Sequence, residues 1–279
     1  MSFIGKYAFV TGGSRGIGKA IAVELANRGA HIAFNYFRSD SAALETQKEI
    51  ESLGVQCVRI RANIADSSKL ISIFETIEKE FKTLDILVNN AASGIQRSAS
   101  DLTEKHWEWT MNVNAKAAWM CSIHASHLMD KGGNIINITS QGSTKVMPYY
   151  FSVGTTKAAL ESMTRYLAVE LAPKDISVNA VSGGYVNTNA LEHFPNREDM
   201  LKAGDQTLPG RPVEAQDIAK MVAFLCTDDA EMVRGQVITV DGGVSIAAKL
   251  VVYVAQTFTS KHCPMQTYDS HGTASNNTG

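Results

Sequence analysis

The stretch PYYFSVGTTKAALESM carries a phenol and an ammonium group, a combination of types suited to giving a proton to a developing negative charge. Lys157 lies in a run that reads as a helix, and the position one turn before it, where a tyrosine would share its face, is Val153. The nearest tyrosines, Tyr150 and Tyr149, stand seven and eight residues upstream of the lysine. Seven residues is close to two helical turns, which returns Tyr150 to nearly the same face but about 10 Å along the axis. Tyr150 therefore has to sit at or before the helix start, where the chain can bend it inward. Tyr149 reads as a packed aromatic.

A second set of residues suits phosphate binding. FVTGGSRGIGKA places Gly12, Gly16 and Gly18, with Ser14, Arg15 and Ile17 among them, between the first apolar run and the first amphipathic segment. Backbone there has to turn tightly and approach a pyrophosphate, whose charge then sits at a helix N-terminus. A carboxylate normally takes the ribose hydroxyls of NAD at the end of the second strand. Here FNYFRSD offers Asn35, Tyr36 and Phe37, with Arg38 just beyond. Arg15 and Arg38 suit a 2′-phosphate as bidentate donors, so NADP(H) is expected rather than NAD(H).

These groups need a frame to hold them. YAFVT, HIAFNY, VQCVRI, LDILVNN, NIINITS, ISVNAV and QVITV read as strands, and helical periods run over roughly 16–29, 40–53, 66–82, 103–130, 152–172 and 214–226. The alternation predicts an α/β fold, a single Rossmann-like doubly wound parallel sheet of about seven strands with helices on both faces. One domain is expected over 1–245. Residues 187–210, with two prolines and mixed polarity, interrupt the rhythm and read as a substrate lid. Residues 246–279 begin apolar and then become polar and rich in small residues, which suggests a partly disordered tail.

Composition excludes several classes. Hydrophobic residues make up 44%, charged residues 19%, and the net charge is −2, which leaves neither the basic excess of a nucleic-acid binder nor a disordered signature. The four cysteines, Cys57, Cys121, Cys226 and Cys263, are too scattered for a disulfide framework or a zinc knuckle. His124 and His127 have helical spacing but no acidic or thiol partner in a metal-binding pattern, so packing is expected of them and no metal site. The N-terminus lacks a signal-peptide pattern and no apolar run is long enough to span a bilayer, so a cytoplasmic protein without membrane or nucleic-acid partners is expected.

With TGGSRGIG, NNAASG after the fourth strand, NVNAK in the long helix, Ser140 at the end of the fifth strand and Lys157 in the next helix, the chain resembles the short-chain dehydrogenase/reductase family over residues 5 to about 244. The resemblance implies a seven-stranded Rossmann sheet and a homotetramer built through the helices around 103–130 and 152–172. It also implies that Asn90 and Ala91 lie along the cofactor, that Asn63 and Ile64 border the adenine, and that Asn114 holds a water in the active site. Val186 and Thr188 match the positions that contact the carboxamide and pyrophosphate, although Gly183 stands where a proline is common. In that family a tyrosine four residues before the lysine protonates the substrate, while the lysine binds the nicotinamide ribose and lowers the tyrosine's pKa. Ser140 stands thirteen residues before Val153, the usual serine-to-tyrosine interval, so the register is intact and the tyrosine is absent from its slot.

Tyrosine, six intervening residues and lysine is the arrangement of the enoyl-acyl-carrier-protein reductases, and NNAASG, HWEWTMNVNAKA and HFPNREDML are similar to the NADPH-dependent bacterial members of that group. The displacement has a chemical meaning. Hydride addition to a ketone puts charge on the adjacent oxygen; addition to the β-carbon of a conjugated thioester puts it on an enolate oxygen several bonds away, so the donor has to move outward. The expected reaction is NADPH-dependent reduction of trans-2-enoyl thioesters, on acyl-carrier protein or CoA, in fatty-acid elongation. Tyr150 is the acid, Lys157 fixes the ribose and supports the negative charge, and Ser140 either shapes the pocket or takes part. Leu191 and Phe194 are candidates to line an acyl channel, and Arg197, Lys202 and Arg211 to meet an acidic carrier. Two other readings stand beside this one: a 3-oxoacyl or general carbonyl reductase using Tyr150, and a non-catalytic NADP-binding protein, suggested by Val153.

Overall fold

Seven apolar runs form the strands β1 (Tyr7–Val10), β2 (His31–Tyr36), β3 (Cys57–Arg61), β4 (Ile86–Asn89), β5 (Gly133–Ser140), β6 (Ile176–Gly183) and β7 (Val237–Val240). The computed structural model describes residues 2–186, 197–204 and 207–246. All six strand pairings are parallel, in the order β3-β2-β1-β4-β5-β6-β7. Strand order reverses between β1 and β4, the switch point outside whose carboxyl ends ligands bind in open α/β sheets.

Unbroken apolar runs are explained by two cores, one on each face. Val10, Phe34, Val88 and Ile136 pack with Ile21, Leu25, Ile218 and Val222. Their chain neighbours Phe9, Ala33, Leu87 and Ile135 point the other way, onto Ile73, Ile77, Cys121 and Ala125. Burial contributes about 1.5–3 kcal/mol for each large apolar side chain, enough to make the sheet a rigid platform for the polar loops at its carboxyl edge. Helices α1 (Gly16–Asn27) and α8 (Ala215–Leu225) cover the first face, α3 (Ser67–Phe81) and α5 (Ala117–Ser126) the second, while α2 (Asp40–Glu51) joins β2 to β3.

The segment 103–130 departs from the continuous helix its periodicity predicts. It contains α4 (Glu104–Met111), a π-helical turn (Asn112–Lys116) and then α5. Periodicity does not register an inserted residue when both flanks keep their own apolar faces. Helix α6 (Phe151–Glu170) begins one residue after Tyr150. Within the expected lid, α7 (Arg197–Gly204) is helical, and residues 187–196 and 205–206 lie outside the described residues. Of the expected tail only Ile246 is described, closing a short turn from Val244. Cys57, Cys121 and Cys226 are buried free thiols. No helix among the described residues is long and apolar enough to cross a membrane.

Candidate active site

Gly12 and Gly16 adopt positive φ (66° and 56°), which lets β1 turn directly into α1. A Cβ on Gly18 would overlap the Gly12 carbonyl oxygen and the Asn90 amide, so that position admits only glycine. Buried polar groups fix the turn from below. The Gly12 N–H donates to Asn35 Oδ1 (3.0 Å), Asn90 Nδ2 donates to the Thr11 carbonyl (2.9 Å), and the Asn90 and Ala91 N–H groups both donate to Thr11 Oγ1 (2.9 Å each). The Ser14 carbonyl accepts from Thr46 Oγ1 at 3.1 Å, and Ile17 packs against the first core. The result is a cradle in front of the α1 N-terminus, a helix with no acidic residue in its first turn.

Beyond the turn, Arg15 and Arg38 are exposed, the Arg38 guanidinium lying 5.7 Å from the Phe37 ring centre. The nearest acid after β2, Asp40, is taken by the Tyr36 hydroxyl and by Arg59 (2.8 Å), which hold its carboxyl below the usual range. That carboxylate is engaged within the protein, while both arginines face solvent, an arrangement that suits a phosphate at this edge. Asn63 caps the Ala65 N–H (3.1 Å) just after β3, and Ile64 is buried beside it. Val186 is buried and bridges Val213; Thr188, Leu191 and Phe194 lie outside the described residues.

The other end of the site forms where α6 begins. Tyr149 has φ 60°, a left-handed conformation uncommon for a bulky residue, and Tyr150 (φ −107°, ψ 10°) stands at the helix cap. This reversal leaves Tyr149 exposed, against the packed role expected of it, and sends the Tyr150 ring inward. The Tyr150 hydroxyl and Ser140 Oγ are 3.2 Å apart. A Cβ on Gly142 would come within 2.5 Å of that ring, so glycine there is what admits it. Val153 is buried, and its Cγ2 occupies the space that a Cβ on Gly94 would need. The slot one turn before Lys157 is therefore filled by apolar packing.

Three successive residues of β5 receive three groups of the Tyr150–Glu161 stretch. Lys157 Nζ donates to the Ile138 carbonyl (2.7 Å), Thr139 Oγ1 donates to Glu161 Oε1 (2.8 Å), and Ser140 pairs with Tyr150. Burial brings the Lys157 ammonium down to about 8, with Glu161 acting in the opposite direction. Burial raises the Tyr150 phenol; the Ser140 hydrogen bond lowers it and the neighbouring Tyr185 phenol raises it further. Tyr150 is thus a neutral proton donor at ordinary pH. Asn114, buried in the π-turn, accepts from the Ser93 N–H (2.8 Å) and donates to Thr156 Oγ1 (3.0 Å), tying the β4–α4 loop to the turn of α6 that carries Lys157. Tyr185 and Thr156 carry no signature in the sequence, because each acts through a neighbour distant in the chain, Tyr150 and Asn114; Gly94 belongs to the NNAASG stretch, but its close approach to Val153 is equally non-local.

Of the candidate carrier-facing residues, Arg197 and Lys202 are exposed on α7, while Arg211 is paired with Asp217 (2.7 Å). His124 stacks on Phe74 (5.3 Å), and His127 meets His124 edge-on (6.4 Å). No group of three metal-ligating side chains converges among the described residues.

A glycine cradle at the sheet's switch point, with a half-buried phenol and a buried lysine gathered on β5, is the layout of an oxidoreductase domain. The family model described as "Enoyl-(Acyl carrier protein) reductase" matches residues 12–245. The chain is 36% identical over 244 residues to the 1-cyclohexenylcarbonyl-CoA reductase of Streptomyces collinus, covering 86% of this chain and 87% of that one. A short-chain dehydrogenase from Burkholderia cenocepacia, solved in complex with NADP, superposes with a TM-score of 0.82 at 34% identity, covering 88% of this chain and all of the other. A short-chain alcohol dehydrogenase-like structure from Sinorhizobium meliloti gives a TM-score of 0.83 at 34% identity, with 88% and 98% covered. The chain belongs to the short-chain dehydrogenase/reductase family of oxidoreductases.

Proposed function

We propose that the protein uses NADP(H) to reduce the carbon–carbon double bond of a trans-2-enoyl thioester. The carrying observation is the Tyr150 hydroxyl, 3.2 Å from Ser140 Oγ, with Val153 filling the position nearer the lysine. The Streptomyces relative is named for a CoA thioester whose double bond is conjugated to its carbonyl, which supports the substrate class. The family description names enoyl-acyl-carrier-protein substrates, and the two together favour a thioester over a free ketone.

The cradle of Gly12, Gly16 and Gly18 holds the pyrophosphate, Arg15 and Arg38 the 2′-phosphate, and Lys157 the ribose. Bound NADPH supplies the hydride that the substrate's β-carbon accepts. The electron pair of the double bond then moves toward the thioester carbonyl, making an enolate. Tyr150 donates its hydrogen bond or proton to that oxygen, Ser140 aligns the phenol, and the Lys157 ammonium supports the negative charge. Protonation of the α-carbon by solvent, with any proton lent to the oxygen returning to Tyr150, restores the carbonyl and completes a saturated acyl thioester. Tyr166 and Val169, 69% and 76% exposed on α6, give that helix an apolar outer face that suits packing against a second copy in a tetramer.

NADPH oxidation by the purified protein, followed with crotonyl thioester, with acetoacetyl thioester and without substrate, tests the assignment. Turnover of the crotonyl substrate is expected. Turnover of the keto substrate alone makes the protein a carbonyl reductase, and NADPH binding without either turnover makes it a non-catalytic binding protein.

A further inference from the structure

Tyr149 and the β4–α4 loop form a cavity of about 370 Å³, lined by Gln96, Arg97, Ser98, Asp101 and Tyr149. Its size falls within the usual range for small-molecule sites. It lies beside the acid, because the backbone of Arg97 bridges that of Tyr150. From this bridge the Tyr150 side chain runs inward to Ser140, whereas Arg97 and Tyr149 are exposed.

The charges in the cavity are unequally committed. The Asp101 carboxylate accepts from the Ser98 hydroxyl (2.6 Å) and from Ser100 (3.5 Å). The Arg97 guanidinium has one long bond, to the Asp101 carbonyl (3.4 Å), and no ion pair among the described residues. A guanidinium held at the mouth of a site by a neutral acceptor keeps donors for an incoming anion. Gln96 adds an amide able to donate and accept, and Tyr149 a half-exposed aromatic face. That face is exposed by a left-handed backbone (φ 60°), a conformation that recurs at ligand clamps.

CoA and acyl-carrier-protein thioesters share a long arm bearing amides along its length and a phosphate at its far end, groups for which Gln96 and Arg97 supply partners. We infer that the cavity holds the phosphopantetheine arm of the substrate, the chemistry shared by CoA and acyl-carrier-protein thioesters, with Arg97 taking the phosphate. This rests on the enoyl-thioester reading above and extends it to the part of the substrate that does not react. Binding energy from that remote part positions the reacting carbons.

The test compares three crotonyl thioesters, of CoA, of acyl-carrier protein and of N-acetylcysteamine, which lacks the phosphate end, in the wild type, Arg97→Ala and Arg97→Lys. The expected result is a KM about tenfold higher in Arg97→Ala for CoA and carrier protein, a variant-to-wild-type ratio near one for N-acetylcysteamine, and partial recovery in Arg97→Lys. Equal effects on all three substrates, or no effect on any, overturn the assignment. An effect confined to CoA overturns it in favour of the nucleotide end, and one confined to the carrier protein in favour of protein docking. If the wild type reduces none of the three, the functional reading fails and the arm site fails with it. If it reduces all three and Arg97→Ala shows no difference between them, only the arm site fails.

Discussion

At the glycine turn the polar side chains are spent on backbone: Asn35 on the Gly12 N–H, Asn90 on the Thr11 carbonyl, and Thr11 on two successive N–H groups. At the end of β5 the side chains of the site face one another instead, with Tyr150 on Ser140 and Glu161 on Thr139, while Lys157 reaches the Ile138 carbonyl. The first region presents a shape, made of peptide groups that carry no titratable proton. The second presents donors whose strength depends on burial and on their neighbours. A ligand gripped by shape depends on backbone conformation, and chemistry done by donors depends on single atoms.

The contrast is broken most strongly by removing one oxygen. Tyr150→Phe keeps the ring against Gly142 and deletes the hydroxyl, and kcat is expected to fall about 10²–10⁴-fold with NADPH affinity nearly unchanged, as separated by steady-state kinetics and cofactor fluorescence titration. Gly18→Ala acts on the other region. Its methyl group overlaps the Gly12 carbonyl oxygen, and an overpacking cost of about 1–3 kcal/mol predicts NADPH binding weakened about 10- to 100-fold in the same titration.

Changing pH separates the regions without mutation. The buried Lys157 loses its proton near 8, against an ordinary 10.5, so above about pH 8 its charge leaves the site and NADPH binding should weaken, by at most about tenfold per unit. Stability moves in the opposite direction. Between 8 and 10.5 the unfolded chain binds more protons than the folded one at this residue, so its contribution to stability rises through that window and the penalty is complete below it. Lys157→Met should flatten both trends, measured by binding and by denaturant midpoint. The filled slot should change stability and leave the donors in place. Gly94→Ala pushes a methyl group into Val153, at a cost of about 1–3 kcal/mol that Val153→Ala relieves, and a double-mutant cycle of chemical unfolding measures the coupling.

Much of the shape-making region could be read from the sequence, because glycines and unbroken apolar runs report on backbone and burial, which are local demands. The seven strands and the cradle of Gly12, Gly16 and Gly18 follow from that. Tyr150 was legible too, since helical spacing alone requires it to stand outside the helix, and it stands at the cap. What spacing does not carry is the company a residue keeps across the fold. Thr156 acts through Asn114, 42 positions away, and Gly94 shows its importance only against Val153. Tyr149 followed the same limit: its outward turn comes from one backbone angle that nothing in the residue type demands.

The π-turn at Asn112–Lys116 also controls how the helix is phased. One residue rotates an α-helix by about 100°, so the extra residue sets the angular offset between α4 and everything on α5. Deleting a residue from NVNAK would let an ordinary helix run through while swinging Cys121 and Ala125 off the core they fill, or else hold them and swing Asn114 away from Thr156. The insertion allows one continuous rod to satisfy two angular requirements, one set by the sheet and one by the site.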